Sequence, residues 1–202
     1  MFTGADDASK IGQINTWNHQ NRTNYKSYCG EIHGSAGGFY PPSLKSDIFD
    51  LFSHQLCRVL SYHSKNETEN HHLLDGVVYE LPKTTFANAS VHPDNWCFEN
   101  YLPSGLQNGS QCHSKNSPIY FSFPHFYAAD QFYLDQFDHR SDLKPSMEQH
   151  TTKMLIEPVS AKVELVIIIP NFHFMKNCVF YQIALNTFKM LQHLCLSVFR
   201  AV

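Results

Sequence analysis

The chain has 202 residues, enough for one domain with a real core and too few for two large ones. Its 15 basic and 18 acidic residues give a net charge of −3 and a pI near 6.5, so it lacks the basic stripe that nucleic acid requires, and that partner class is excluded. Charged residues make up only 16% while Phe and Tyr number 16 and 10, a balance that favours a β-rich fold with apolar contacts over a soluble helical bundle.

In chain order, residues 1–28 are polar and turn-rich. Residues 30–42 (GEIHGSAGGFYPP) make a loop, because the glycines permit positive φ and two prolines bar a helix. In 43–60, Leu44, Ile48, Leu51, Phe52, Leu56 and Leu60 recur at intervals of three and four, which predicts a short amphipathic helix capped by Ser43 or Ser46. The polar stretch 62–74 reads as an exposed turn between strands, and GVVYELP (76–82) as a strand ending at proline. Residues 84–96 form a connector. The segment 117–129 begins as a strand and, meeting Pro124, becomes a kinked or edge strand. Residues 130–150 are an amphiphilic loop or short helix, and 150–159 return to a strand. Beyond Val163 the chain turns apolar, with Glu164 its one acidic residue, and 180–199 read as a hydrophobic helix interrupted by Gln182, Asn186, Lys189, Gln192 and His193.

Six cysteines fall into two groups. Cys29, Cys57, Cys97 and Cys112 lie among four N-x-Ser/Thr sequons at Asn21, Asn66, Asn88 and Asn108, while Cys178 and Cys195 lie in the apolar tail. Without a CxxC pair the spacing is wrong for a zinc ribbon or a thioredoxin-type site. Cysteines among sequons point to an oxidising, secretory compartment. Four cysteines allow three pairings, and spacing does not choose among them. The opening MFTGADDASK has neither a basic n-region nor an apolar h-region, and the run VIII (166–169) ends at Pro170. A chain that looks extracellular yet shows no route there is expected to be part of a longer protein.

Little in the sequence supports catalysis or a cofactor. The 13 histidines are mostly scattered, and His71 and His72, adjacent on an extended backbone, would point to opposite faces. No HExxH occurs, so a metal-dependent secreted enzyme would require histidines to converge in the fold. GSAGG (34–38) is not a GxSxG elbow, and no GxGxxG or GxxxxGK[ST] is present. In YFSFPHFY (120–127), strand alternation puts Phe121 and Phe123 on one face and Tyr120 and Ser122 on the other.

Several ordered runs together carry a resemblance: FTGADDASKIGQI (2–14) with Trp17, CGEIHGSAGGFYPP (29–42), DIFDLFSHQLCR (47–58), PDNWCF (93–98), LPSG (102–105) and FPHFYAAD (123–130), followed by His150 and the Glu157-Pro158 step. In order and spacing they are similar to the class B scavenger receptor family, which includes the fatty-acid translocase receptor, the lysosomal integral membrane proteins and the sensory neuron membrane proteins. The resemblance covers about residues 1–161. It implies a mainly β fold with short α-helices, an incomplete antiparallel β-barrel-like ectodomain. Residues 1–161 would be the C-terminal half of that ectodomain and 162–202 a divergent hydrophobic tail, with no glycine turn after Glu157-Pro158.

The resemblance also implies disulfides Cys29–Cys97 and Cys57–Cys112, and glycans on Asn21, Asn66, Asn88 and Asn108. A third short bridge common in the family would fall at Glu99 and Tyr101, where no cysteine stands. His125 and His150 match family positions and are expected to serve as structural hydrogen-bonding groups. Phe121 and Phe123 are the expected inward-facing rings, either as ordinary core or as apolar lining of a lipid passage.

The function implied is part of a non-enzymatic membrane receptor that binds lipids, fatty acids or lipoprotein particles and transfers them toward a plasma or lysosomal membrane. This portion would be extracellular or luminal, with no cofactor or metal, and held in the membrane by segments outside this chain. The alternatives are a cell-adhesion or lysosomal protein-trafficking receptor with a protein ligand, or a non-functional truncated product. A sheet missing its partner strands is expected to be poorly stable alone.

Overall fold

The structure is a computed structural model that describes residues 1–37, 39–41, 46–71, 74–98, 102–112, 119–135, 144–158, 162–167, 171–176 and 179–183. Nine strands are described: β1 (Ile48–Ser53), β2 (Arg58–His71), β3 (Leu74–Glu80), β4 (Gln107–Asn108), β5 (Ile119–Ser122), β6 (Lys153–Glu157), β7 (Lys162–Ile167), β8 (Asn171–Lys176) and β9 (Val179–Ile183). Helices are few and short: α1 (Gln131–Asp135), α2 (Met147–His150) and four 3₁₀ turns. The fold is therefore mainly β, as expected. The chain divides into two compact units, one made of 1–82 and 152–168, the other of 83–151 and 169–202.

In the first unit, an antiparallel sheet of order β1-β2-β3-β6-β7 curls as an incomplete barrel. The predicted helix over 43–60 is not there. Residues 48–53 and 58–71 form a hairpin around a turn at 54–57, with Phe49 opposite Tyr62 and Leu51 opposite Leu60. Residues 43–45, including the supposed cap Ser43, lie outside the described residues.

The apolar spacing fits both readings because Leu51 belongs to the series at intervals of three and four and also alternates with Phe49. Packing decides between them. Phe49, Leu51, Phe52, Leu60 and Tyr62 are all buried. Phe52 faces the opposite way from Phe49 and Leu51 and meets the Trp17 ring at 6.1 Å, so both faces of β1 are covered. A helix of this length gains too little alone to compete with two-sided burial.

The stretch 62–74 is likewise strand rather than turn through residue 71, with a bulge between Ser64 and Thr68. Its polarity marks exposure, since residues 65–70 all face solvent. The expected strands at 76–82 and 150–159 are β3 and β6. Gly76 is required where they pair, because a Cβ there would lie 2.5 Å from the Leu155 side chain.

The loop 30–37 is stitched to the outer side of β1. The Ser35 N–H donates to the Asp50 carbonyl at 2.8 Å, its carbonyl accepts from Phe52 N–H at 2.8 Å, and its hydroxyl donates to the Phe39 carbonyl at 3.0 Å. Ser35 is thus a buried structural residue.

The second unit carries a sheet of order β4-β5-β8-β9. Its β5 ends at a 3₁₀ turn over Pro124–Phe126, the kink that proline predicted. The predicted hydrophobic helix over 180–199 fails at its start: β9 pairs antiparallel with β8, Phe180 opposite Met175 and Ile183 opposite Phe172. Aromatic and β-branched residues here find a ladder partner, which outweighs helical periodicity. Residues 184–202 lie outside the described residues, as do His72, Glu99, Tyr101, Cys178 and Cys195. Strand β7, within the expected tail, continues the first sheet beside β6.

Candidate functional site: an aromatic layer around strand β5

Strand β5 separates two apolar layers. Register places Phe121 opposite Gln107 and Tyr120 opposite Asn108 on β4. On the Phe121 side the packing is tight, because a Cβ on Gly109 would lie 2.2 Å from the Phe121 ring. Phe121 and Phe123 are 0% and 2% exposed. The Phe123 ring meets Phe86 edge-on at 4.9 Å and Tyr127 at 5.9 Å. Alternation is incomplete, since Ser122 is buried too and donates its hydroxyl to the Phe123 carbonyl at 2.8 Å.

On the other side, Leu106, Phe126 and Tyr133 form a cluster with Leu102, Tyr120 and Phe132 packed against it. Phe126 and Tyr133 stack at 5.6 Å, and the Tyr133 hydroxyl donates to the Pro103 carbonyl at 2.7 Å. Burial raises the Tyr133 phenol above its ordinary range, so it stays neutral. This layer is apolar apart from the hydrogen-bonded Tyr133 hydroxyl, and among its described residues no nucleophile and base are in contact.

Both expected rings therefore face inward. The cysteines at 29, 57, 97 and 112 all form disulfides. The sequon asparagines differ in setting. Asn21 and Asn66 are exposed, Asn66 at φ 55° within the β2 bulge. Asn88 is half-buried: its amide donates to the Leu102 carbonyl at 3.1 Å and its Oδ1 accepts from Val91 N–H at 3.2 Å. The Asn108 Oδ1 accepts from Ser110 N–H at 2.9 Å.

Two clusters were not read from the sequence. His33 pairs with Asp50 at 3.5 Å, and Asp50 also accepts from the Ser61 hydroxyl at 2.6 Å. The hydrogen bond to Asp50 raises the His33 pKa, and the same bond lowers that of Asp50. Both side chains bond the carboxylate rather than each other, which is the wrong order for nucleophilic catalysis. The Asp50–Ser61 pairing was readable only once 47–61 was known to be a hairpin. The second cluster is His125 stacked on His150, centroids 4.1 Å apart, from positions 25 residues apart that no local pattern connects. Among the described residues, no three His, Cys, Asp or Glu side chains are grouped to hold a metal ion, and no helix is long and apolar enough to cross a membrane.

The CD36 family model matches residues 1–177. The chain belongs to the CD36 family. It is 37% identical over 163 residues to Protein peste of Drosophila melanogaster, covering 78% of this chain and 28% of that protein. It is 33% identical to Scavenger receptor class B member 1 of Cricetulus griseus (79% of this chain, 31% of the relative) and 30% identical to Sensory neuron membrane protein 2 of Heliothis virescens (81% and 33%). The chain thus spans about a third of the length of the curated relatives it matches. The match runs past the residue 161 at which the motif resemblance ends.

Proposed function

We propose that this chain is part of the ectodomain of a membrane receptor that binds lipids, fatty acids or lipoprotein-like particles and passes the apolar ligand toward a membrane. The observation that carries the reading is the family match over residues 1–177, in which relatives are named as scavenger receptors and membrane proteins. The aromatic layer around β5 supplies a fitting chemistry. Phe121 and Phe123 serve as apolar lining, stiff rings that contact hydrocarbon without ionising. No bond is made or broken, and no cofactor takes part.

The disulfides are read as Cys29–Cys97 and Cys57–Cys112, and glycans sit on Asn21, Asn66, Asn88 and Asn108, with this portion extracellular or luminal. Residues 1–161 are read as the C-terminal half of the ectodomain and 162–202 as a divergent hydrophobic tail. The receptor lies in the plasma or lysosomal membrane.

The test is uptake of fluorescent cholesteryl ester or fatty acid from particles by cells displaying the full-length protein. Uptake above untransfected cells that falls on substitution of Phe123 by leucine, with surface display unchanged, is the expected result. Particle capture without lipid transfer contradicts it and favours the adhesion or trafficking reading.

A further inference from the structure

The turn after β5 and helix α2 meet through two imidazoles. The rings stack with centroids 4.1 Å apart and planes 18° apart. His150 is 8% exposed, its Nδ1 accepts from the Ser146 N–H at 2.8 Å, and its backbone N–H donates to the Ser146 carbonyl at 2.9 Å. A proton on that Nδ1 would set donor against donor and open the cap of α2, whose N-cap Ser146 has no side-chain cap bond. The His125 Nδ1 is buried without a hydrogen-bond partner, so a charge arriving there finds no acceptor.

The turn is also poised to move. His125, Phe126 and Ala128 hold φ of 53°, 55° and 56°, left-handed conformations that non-glycine residues keep only while their surroundings impose them.

We propose that the His125–His150 stack is an acid-released latch: neutral, it pins α2 and residues 144–146 to the 124–128 turn, and protonation releases them. The latch belongs to the second unit alone and does not depend on the lipid reading.

The groups around it agree with this direction. Burial, and then the facing His125, hold the His150 imidazole below its ordinary value. On α2 itself Glu148 is exposed, and on the turn side the Lys83 ammonium is engaged over the Tyr127 ring at 5.8 Å. A histidine held low in the folded state binds fewer protons there than when unfolded. Its contribution is therefore complete above the ordinary value of 6.5 and is lost as pH falls below it.

Hydrogen exchange of the full-length glycosylated protein, compared at about pH 7.4 and about pH 5 after correction for intrinsic rates, tests the latch. Exchange over 144–151 is expected to rise about tenfold at the acid pH while 153–157 stays protected. In His125→Phe, which keeps a ring against His150 without its charge, the rise is expected to shrink to about threefold or less. His150→Gln should abolish it. No acid-dependent rise in the wild type, or an equal rise in both variants, overturns the proposal. If a variant loses the neutral-pH protection of β1–β3, and so its fold, the wild-type pattern alone decides.

Discussion

At single residues, the tightest constraints are backbone ones. Gly105 sits at φ 105°, and a Cβ there would lie 2.2 Å from that of Ala129, in the turn that also supports Asn88. Gly105→Ala is expected to cost more than about 1 kcal/mol, from left-handed strain and clash together, read as a lowered denaturation midpoint. Phe121, fully buried against Gly109, is a larger loss: Phe121→Ala should cost about 3–5 kcal/mol in chemical denaturation. The His33–Asp50 pair has a pH signature opposite to that of the His125–His150 stack. His33 is raised, so its contribution is present below the ordinary histidine value of 6.5 and lost as pH rises through the raised one. Asp50 is lowered, so its contribution is present above the ordinary aspartate value of 3.8 and lost as pH falls through the lowered one. The melting-temperature difference between wild type and His33→Gln should be largest near about pH 5–6 and vanish above about pH 8; a pH-independent difference contradicts the pairing. Both groups are half-exposed, so the effect is small.

Among elements, the hairpin at 48–71 shows what a sequence can and cannot tell. The strands at 76–82 and 150–159 and the kink at Pro124 were legible because β-branched or aromatic runs ended at prolines. The helix expected over 43–60 has genuine periodic support. Leu44, Ile48, Leu51, Phe52, Leu56 and Leu60 recur at intervals of three and four, while Phe49 and Leu51, and across the turn Leu60 and Tyr62, keep a two-residue period. Only partners 9–13 residues away, Leu60 for Leu51 and Tyr62 for Phe49, distinguish the two. The polar run 62–71 misled for a different reason. It is a strand that changes neighbour at His63, pairing with β1 up to that residue and with β3 from there to His71, and only its first half, with Arg58, Leu60 and Tyr62, is buried while 65–70 are exposed. Amide exchange should therefore divide β2. Residues 58–63, at the end of β2 that pairs with β1, should exchange at least about tenfold more slowly than 65–70. Uniform protection along β2 would count against this register.

For the whole molecule, family membership was legible because motifs are local, while pairings and site geometry were not, because they join distant residues. The order of FPHFYAAD, LPSG and the cysteines survives in any fold; the meeting of His125 with His150 does not show until the chain is folded. The disulfide pairing follows the same logic. All four cysteines are bonded, and the proposed pairs Cys29–Cys97 and Cys57–Cys112 close loops long enough for each to stabilise by about 3–5 kcal/mol on a chain-entropy basis. Mass spectrometry of unreduced proteolytic peptides should recover those two linkages, and a 29–57 or 97–112 linkage would refute them. The central claim is that the aromatic layer around β5 contacts an apolar ligand, and photo-cross-linking tests it most directly. Cells displaying the full-length protein are incubated with a photoactivatable fatty acid, irradiated, and the labelled peptides are mapped. The account predicts label on the peptide carrying Phe121 and Phe123, displaced by excess unlabelled fatty acid. Label absent from that peptide, or spread evenly and not displaced, would contradict it.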